Sequence, residues 1–225
     1  MRFFQKKTPP KKSHDGPAYP RLHVGCGTEA IPEWCNIAIQ KLPGVDIVMD
    51  VTQEFSFADI EFIYCEHFIE HLRFDHGLRF LSSCFDALSN GGVMRLSTPN
   101  LDWVYLTHYA VESEDREEKI TNTFMLNRAF YAWGHQFLYS REVLAEVLRS
   151  IGFSEITEHE YGESEIPRLR NLERHERYGA TPELPDVLIV EATKRDDGKR
   201  SHPARDKILQ KAQGEFLNML DWNIE

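Results

Sequence analysis

The chain has 225 residues, enough for one α/β domain with a sizeable core and some chain left for tails or a lid. Hydrophobic residues make up 41% and charged residues 28%, an ordinary globular balance, and no apolar run approaches the roughly 18 residues that cross a bilayer. The formal charge of −10 argues against a protein that grips a phosphate backbone, so no nucleic-acid partner is expected.

Cys26, Cys35, Cys65 and Cys84 are scattered without a paired spacing, and no export signal is visible. They read as reduced thiols of a cytoplasmic protein. Residues 1–19 carry Arg2, Lys6, Lys7, Lys11 and Lys12 among Pro and Ser, which predicts a flexible basic arm. Leu22 and Val24 mark a short strand running into Gly25-Cys26-Gly27. A second strand is expected over 35–39, a third over 45–51 and a fourth over 62–65, with a helix starting near His67. Leu78, Leu81, Phe85 and Leu88 share a helical face over 75–88, and Ser89-Asn90-Gly91-Gly92 supplies a stop signal.

Val93 to Ser97 predicts a fifth strand, cut off by Pro99. Residues 101–134 are aromatic-rich and acidic in the middle, which suggests a helical lid insertion. Ser140 can cap a helix that Gly152 ends, and two last strands are expected over 153–157 and 187–192. Residues 194–225 read as a charged tail whose Phe216–Trp222 segment forms a short helix, docked on this domain or on a partner. Strands alternating with helices imply a mostly parallel, Rossmann-like sheet of seven strands with helices on both faces, spanning 20–193.

Three features carry chemistry. Gly25 and Gly27 after a strand let the backbone pass close to a ligand at the carboxyl edge of the sheet. Asp50, at the end of the third strand, can accept hydrogen bonds from an adenine amino group or a ribose hydroxyl. Cys65, Glu66 and His67 follow the fourth strand and reach the same edge, with His71 one helical turn beyond His67. His67-x-x-Glu70-His71 also matches an inverted zinc-protease spacing, so a zinc hydrolase stays open as an alternative.

Gly25-Cys26-Gly27, Asp50, the run Glu66 to Leu72 and the run Leu88 to Arg95 stand in the order and near the spacing of class I S-adenosylmethionine-dependent methyltransferases. The chain resembles most the small bacterial type-11-like members found among polysaccharide and secondary-metabolite genes. The similarity takes in Ser97 to Leu101, Gly134 to Tyr139 and Gly152-Phe153, over roughly residues 20–193. It implies S-adenosylmethionine as cofactor, with Gly25, Cys26 and Gly27 at its methionine and ribose portions and Asp50 and Val51 at its adenine end. Cys65, Glu66 and His67 would flank the sulfonium.

The resemblance departs at the end of the second strand, where Ala38 takes the place of an acidic residue that holds the ribose hydroxyls. Without a substitute such as Gln40 or Asn36, binding weakens by about 1.5–3 kcal/mol. A catalytically silent scaffold of the same fold is therefore a second alternative. No metal is needed for the chemistry, and His67, His71 and His135 are the candidate catalytic bases for an acceptor hydroxyl. The expected acceptor is a sugar, nucleotide-sugar, other glycan or small metabolite, with a second copy of the chain as a further partner. Trp103, Tyr105, Tyr109, Phe130, Tyr131 and Trp133 would wall the acceptor site. Arg168, Arg170, Arg174 and His175 would either recognise an anionic acceptor or pair with the neighbouring glutamates.

Overall fold

The computed structural model describes residues 19–53, 55–108, 113–176, 181–195 and 207–221. The basic arm, apart from Tyr19, lies outside them, as do Tyr109, Arg177 and Trp222. Seven strands form one sheet: β1 Arg21–Val24, β2 Cys35–Ala38, β3 Ile47–Val48, β4 Ile60–Glu66, β5 Leu88–Pro99, β6 Ser154–Glu158 and β7 Val187–Thr193. Their order is β3-β2-β1-β4-β5-β7-β6, with β7 antiparallel to both its neighbours and all other pairs parallel. The mostly parallel sheet expected from the sequence is therefore present.

Alternation along the strands sorts the two faces by chemistry. Leu22, Val24, Ile37, Ile63, Cys65, Met94 and Leu96 belong to one face and to a single buried cluster. That cluster also takes in Phe80, Leu81 and Cys84 of α1 (Phe74–Ala87) and Leu144, Val147 and Leu148 of α4 (Arg141–Ile151). Each such side chain contributes on the order of 1.5–3 kcal/mol by leaving water. Leu209, Phe216 and Leu217 of α5 (Lys207–Asp221) pack on the same cluster, so the C-terminal helix docks on this domain.

The opposite face is polar, with buried His23, Asn36, Arg95, Ser97 and Glu191. Residues 25–34 are too few for a full crossover helix. The polar face is instead roofed by residues 159–176, whose Leu169 and Leu172 pack with Trp34, Tyr64 and Val93. Arg95 anchors this roof, donating to Glu173 (2.7 Å) and to Glu191 (2.6 Å) with all three side chains buried.

Ser140 caps α4 as expected, accepting from the Val143 N–H, and Gly152 ends it at φ 125°. Two expectations shift. The helix expected from His67 is only a 3-10 turn over Ile69–His71, because His67 itself sits at φ 46° and breaks a helical path. α1 starts later, at Phe74, after extended Leu72 and Arg73. It ends at Ala87, and β5 already begins at Leu88, so the Ser-Asn-Gly-Gly run lies within the strand rather than ending the helix. A register shift between Ile60 and Phe62 of β4 accommodates it.

The insertion is helical: α2 Leu101–His108 and α3 Arg116–Tyr131, followed by a 3-10 turn over Ala132–Gly134. Asp115 caps α3 by accepting from the Glu117 N–H at 2.8 Å. Asn100 ties the lid base to the sheet, its side-chain amide donating to the Pro185 carbonyl and its backbone N–H to that of Asp186. No helix among the described residues is long and apolar enough to cross a membrane.

Candidate active site

The strand order reverses between β1 and β4, and the carboxyl ends of those two strands flank the crevice where open α/β sheets bind ligands. Gly25, Cys26 and Gly27 leave β1 there, and Glu66 and His67 leave β4 there. Gly25 has φ 72° and a side chain on it would strike the Phe68 ring, with a Cβ only 2.5 Å from Cδ2. Gly27 has φ 51°, and a Cβ there would meet nothing within 4 Å, so the loop opens onto free space. Glycine is required at position 25 by the Phe68 ring, and both glycines allow the positive φ that turns the loop toward the crevice.

The proposed adenine end is less committed to a ligand. Asp50 is exposed and its carboxylate accepts from both the N–H and the hydroxyl of its neighbour Thr52, which hold it below the usual carboxylate range. Val51 is packed in the core and Gln40 is exposed. The nearby Asp46 accepts from the Asn36 backbone N–H (2.8 Å) and from its side-chain amide (3.2 Å), so Asn36 is spent on local structure.

Two residues assigned to the cofactor by resemblance have other surroundings. Cys65 is 1% exposed in the apolar cluster, and burial pushes its thiol up, so it lines no crevice. Strand alternation puts it on the helix-covered face. Glu66 points to the roof: it accepts from the Arg174 and His175 N–H groups (2.8 and 2.9 Å) and from the His175 imidazole (2.7 Å). Burial alone would raise its carboxyl, but those three donors outweigh it and hold the group at about 2. Cys26 is buried as well and contributes its backbone to the loop.

His67 is differently placed. Its Nδ1–H donates to Glu70 Oε1 at 2.9 Å, while Glu70 Oε2 accepts from the Thr98 hydroxyl at 3.1 Å. Glu70 is fully buried, and its carbonyl is held by the Gln136 and Phe137 N–H groups. The other nitrogen of His67, Nε2, is buried without a partner among the described residues. Burial opposes protonation of this imidazole, but the hydrogen bond and charge of Glu70 prevail and raise it above the ordinary histidine value. A buried carboxylate behind one ring nitrogen fixes the tautomer and orients the other for proton transfer.

His67, His71 and His135 all line one cavity of about 600 Å3, walled by Trp103, Val104, Met125, Ala129 and Trp133 and reaching His175, Glu176 and Asp186. Arg128 is stacked over Trp133 at 4.8 Å. The three candidate histidines are thus brought together. His71 and His135 rings meet edge to face at 5.1 Å, and His135 Nδ1–H donates to the Ala129 carbonyl at 2.7 Å. Of the aromatic wall, Trp103 and Trp133 line the cavity, whereas Tyr105, Phe130 and Tyr131 face outward.

The zinc-hydrolase alternative needs His67 and His71 on one helical face with Glu70 beside the metal. His67 lies outside the short turn and is bonded to Glu70 itself, so that ligand pair does not form. Glu70, His71 and His135 do bring ligand atoms within 4.8 Å of one another, but both Glu70 oxygens are already engaged by His67 and Thr98. The basic link is likewise spent locally: Arg168 pairs with Glu33, Arg170 binds the Ser164 carbonyl and Arg174 those of Asn171 and Glu173. None of the three arginines lines the cavity.

Sequence reasoning named Glu70 only as part of a zinc motif and missed its role beside His67, although a spacing of three residues was the available signal. It missed Thr98 and the Glu66–His175 contact, which joins residues 109 apart and leaves no local trace.

A family model described as a methyltransferase domain matches residues 4–158. No curated protein sequence matches the chain. Among solved structures, an Archaeoglobus fulgidus SAM-dependent methyltransferase is similar at 16% identity and TM-score 0.50, over 77% of this chain and 85% of that one. A SAM-dependent methyltransferase of Thermotoga maritima aligns at 15% identity and TM-score 0.47, over 78% of this chain and 81% of that one. Human N-acetylserotonin methyltransferase in complex with SAM aligns at 11% identity and TM-score 0.46, over 78% of this chain and 47% of that one. At 16% identity the likeness to the Archaeoglobus fulgidus protein is one of fold.

Proposed function

The chain belongs to the methyltransferase-domain family, and from that premise we propose that it O-methylates a small hydroxylated acceptor, with His67 as the base. The cofactor is S-adenosylmethionine, which when bound supplies an already activated methyl group. The residues at the crevice fit it: the β1 loop leaves open space at Gly27, and its glycines let backbone approach the ligand. Gly25, Cys26 and Gly27 would hold the methionine and ribose portions, with Asp50 and Val51 at the adenine end and Gln40 near the ribose.

His67 supports this reading most directly. With Nδ1–H held by Glu70, neutral His67 keeps an unpaired Nε2 lone pair on a ring that lines the cavity, and a shift of the side chains covering Nε2 would open it to an acceptor hydroxyl. The proton moves from the hydroxyl to Nε2, and Glu70 stabilises the resulting imidazolium while keeping the ring in place. Trp103 and Trp133 supply flat apolar walls that orient the acceptor and exclude water, so proximity does much of the remaining work. With Arg168, Arg170 and Arg174 committed elsewhere, contact with an acidic group on the acceptor would fall to Arg128, which lines the cavity beside Trp133.

The test is methyl transfer from isotope-labelled S-adenosylmethionine to a panel of hydroxylated sugars and phenols, run on the native chain and on His67→Gln. The expected outcome is a labelled methyl ether made by the native chain and lost in the variant. A methylated amine or carbon, or an ether formed equally well by His67→Gln, would overturn the assignment of the base.

A further inference from the structure

The lid helix α3 has no buried residue along its 16-residue length. A lone helix of that size is marginal in water, so packing must hold it. Seven of the ten large apolar side chains exposed among the described residues lie between positions 105 and 133. Monomeric proteins rarely leave so concentrated an apolar surface uncovered.

The pattern on α3 is specific. Glu117, Ile120, Phe124, Asn127 and Tyr131 follow one another at spacings of three, four, three and four, the seam of one helix packing along another. Ile120, Phe124 and Tyr131 are 44%, 73% and 78% exposed. At about 100° per residue the stripe lies more than a third of a turn from Met125 and Ala129, which line the acceptor cavity, while Arg128, which lines it too, stands on the flank between them; Ile120, Phe124 and Tyr131 do not line it. The stripe is therefore left over after the cavity wall is accounted for.

We propose that this stripe is a two-fold interface and that the occupant is α3 of a second copy, antiparallel to the first. A two-fold interface must be self-complementary. Phe124 stands at the middle of the stripe, so an antiparallel pair centred on it sets Phe124 against its own image. The same operation sets Ile120 beside the aliphatic stem of the partner's Arg128, and Glu117 against the partner's Tyr131, whose phenol can donate to the carboxylate. It also brings the acidic first turn (Glu117, Glu118) near the partner's Arg128 at the last turn, whereas a parallel pair would set like charges together. The aromatic side chains involved each carry on the order of 150–250 Å2, so the exposed lid supplies several hundred Å2 per copy. That approaches the ~800 Å2 per partner of a standard specific interface. The paired helices would then fix the wall that carries Met125, Arg128 and Ala129.

Sedimentation velocity on the full chain tests this, at concentrations from below one micromolar to about one hundred micromolar. The expected result is a species of twice the 26.2 kDa chain mass that Phe124→Glu converts to a monomer still folded by near-UV circular dichroism, with a melting temperature that no longer depends on concentration. Phe124→Cys then locates the axis. Diamide should take two electrons and two protons from the facing introduced thiols and leave a disulfide-linked dimer, while the native thiols stay buried. A monomer throughout, a dimer that Phe124→Glu leaves intact, or a dimer in which Phe124→Cys does not cross-link would each overturn the proposal.

Discussion

His67 acts as a base only when neutral, and Glu70 makes the neutral form harder to reach. The imidazole is held above its ordinary value, so the rate of a base-dependent step rises with pH through a point above the usual histidine range. Glu70→Gln removes the charge behind the ring and should move that rising limb to lower pH while lowering kcat. A pH profile of both proteins checks this, and an unmoved limb would mean that Glu70 only packs. His67→Gln should cost roughly 10²–10⁴-fold in kcat yet leave S-adenosylhomocysteine binding nearly unchanged, because the base does not hold the cofactor. Ala38 makes the opposite kind of prediction. Ala38→Asp restores a carboxylate at the end of β2 and should tighten S-adenosylhomocysteine by about 1.5–3 kcal/mol, read by calorimetry. Weaker or equal binding would place the ribose elsewhere.

At the scale of elements, the glycine loop after β1, the amphipathic α1 and the Ser140-to-Gly152 helix were legible because their signals are local. Periodicity, caps and turn residues act within a few positions. The path from His67 to Leu72 was misread as helix because the positive φ of His67 is imposed by its surroundings, not by its residue type. The roof over residues 159–176 was invisible for a similar reason: Arg95 finds Glu173 and Glu191 across 78 and 96 positions. Breaking that buried cluster leaves two carboxylates without their cation. Arg95→Met should therefore cost about 3–5 kcal/mol in denaturant unfolding, far more than a surface arginine. Glu66 adds a pH signature to the same roof. Its carboxyl is depressed on folding, so the stability it adds is present above its ordinary 4.5 and is lost as pH falls toward about 2. Glu66→Gln should flatten the acid limb of the melting curve over that window.

At the scale of the whole molecule, the sheet order and the glycine loop meet at one crevice, and the lid adds an aromatic cavity beside His67. Sequence reached the fold class, the crevice and three of the five histidines that line the cavity. It could not separate side chains that line the crevice from those that hold the structure, because Cys65 and His67 differ only in which way alternation and one backbone angle turn them. It also could not decide whether Ala38 leaves cofactor binding intact. Calorimetric titration of the native chain with S-adenosylhomocysteine addresses that point most directly. The account predicts one site per chain with a Kd on the order of 1–100 µM, tightened by Ala38→Asp and indifferent to His67→Gln. No heat of binding up to millimolar ligand, in native and Ala38→Asp chains alike, would contradict it.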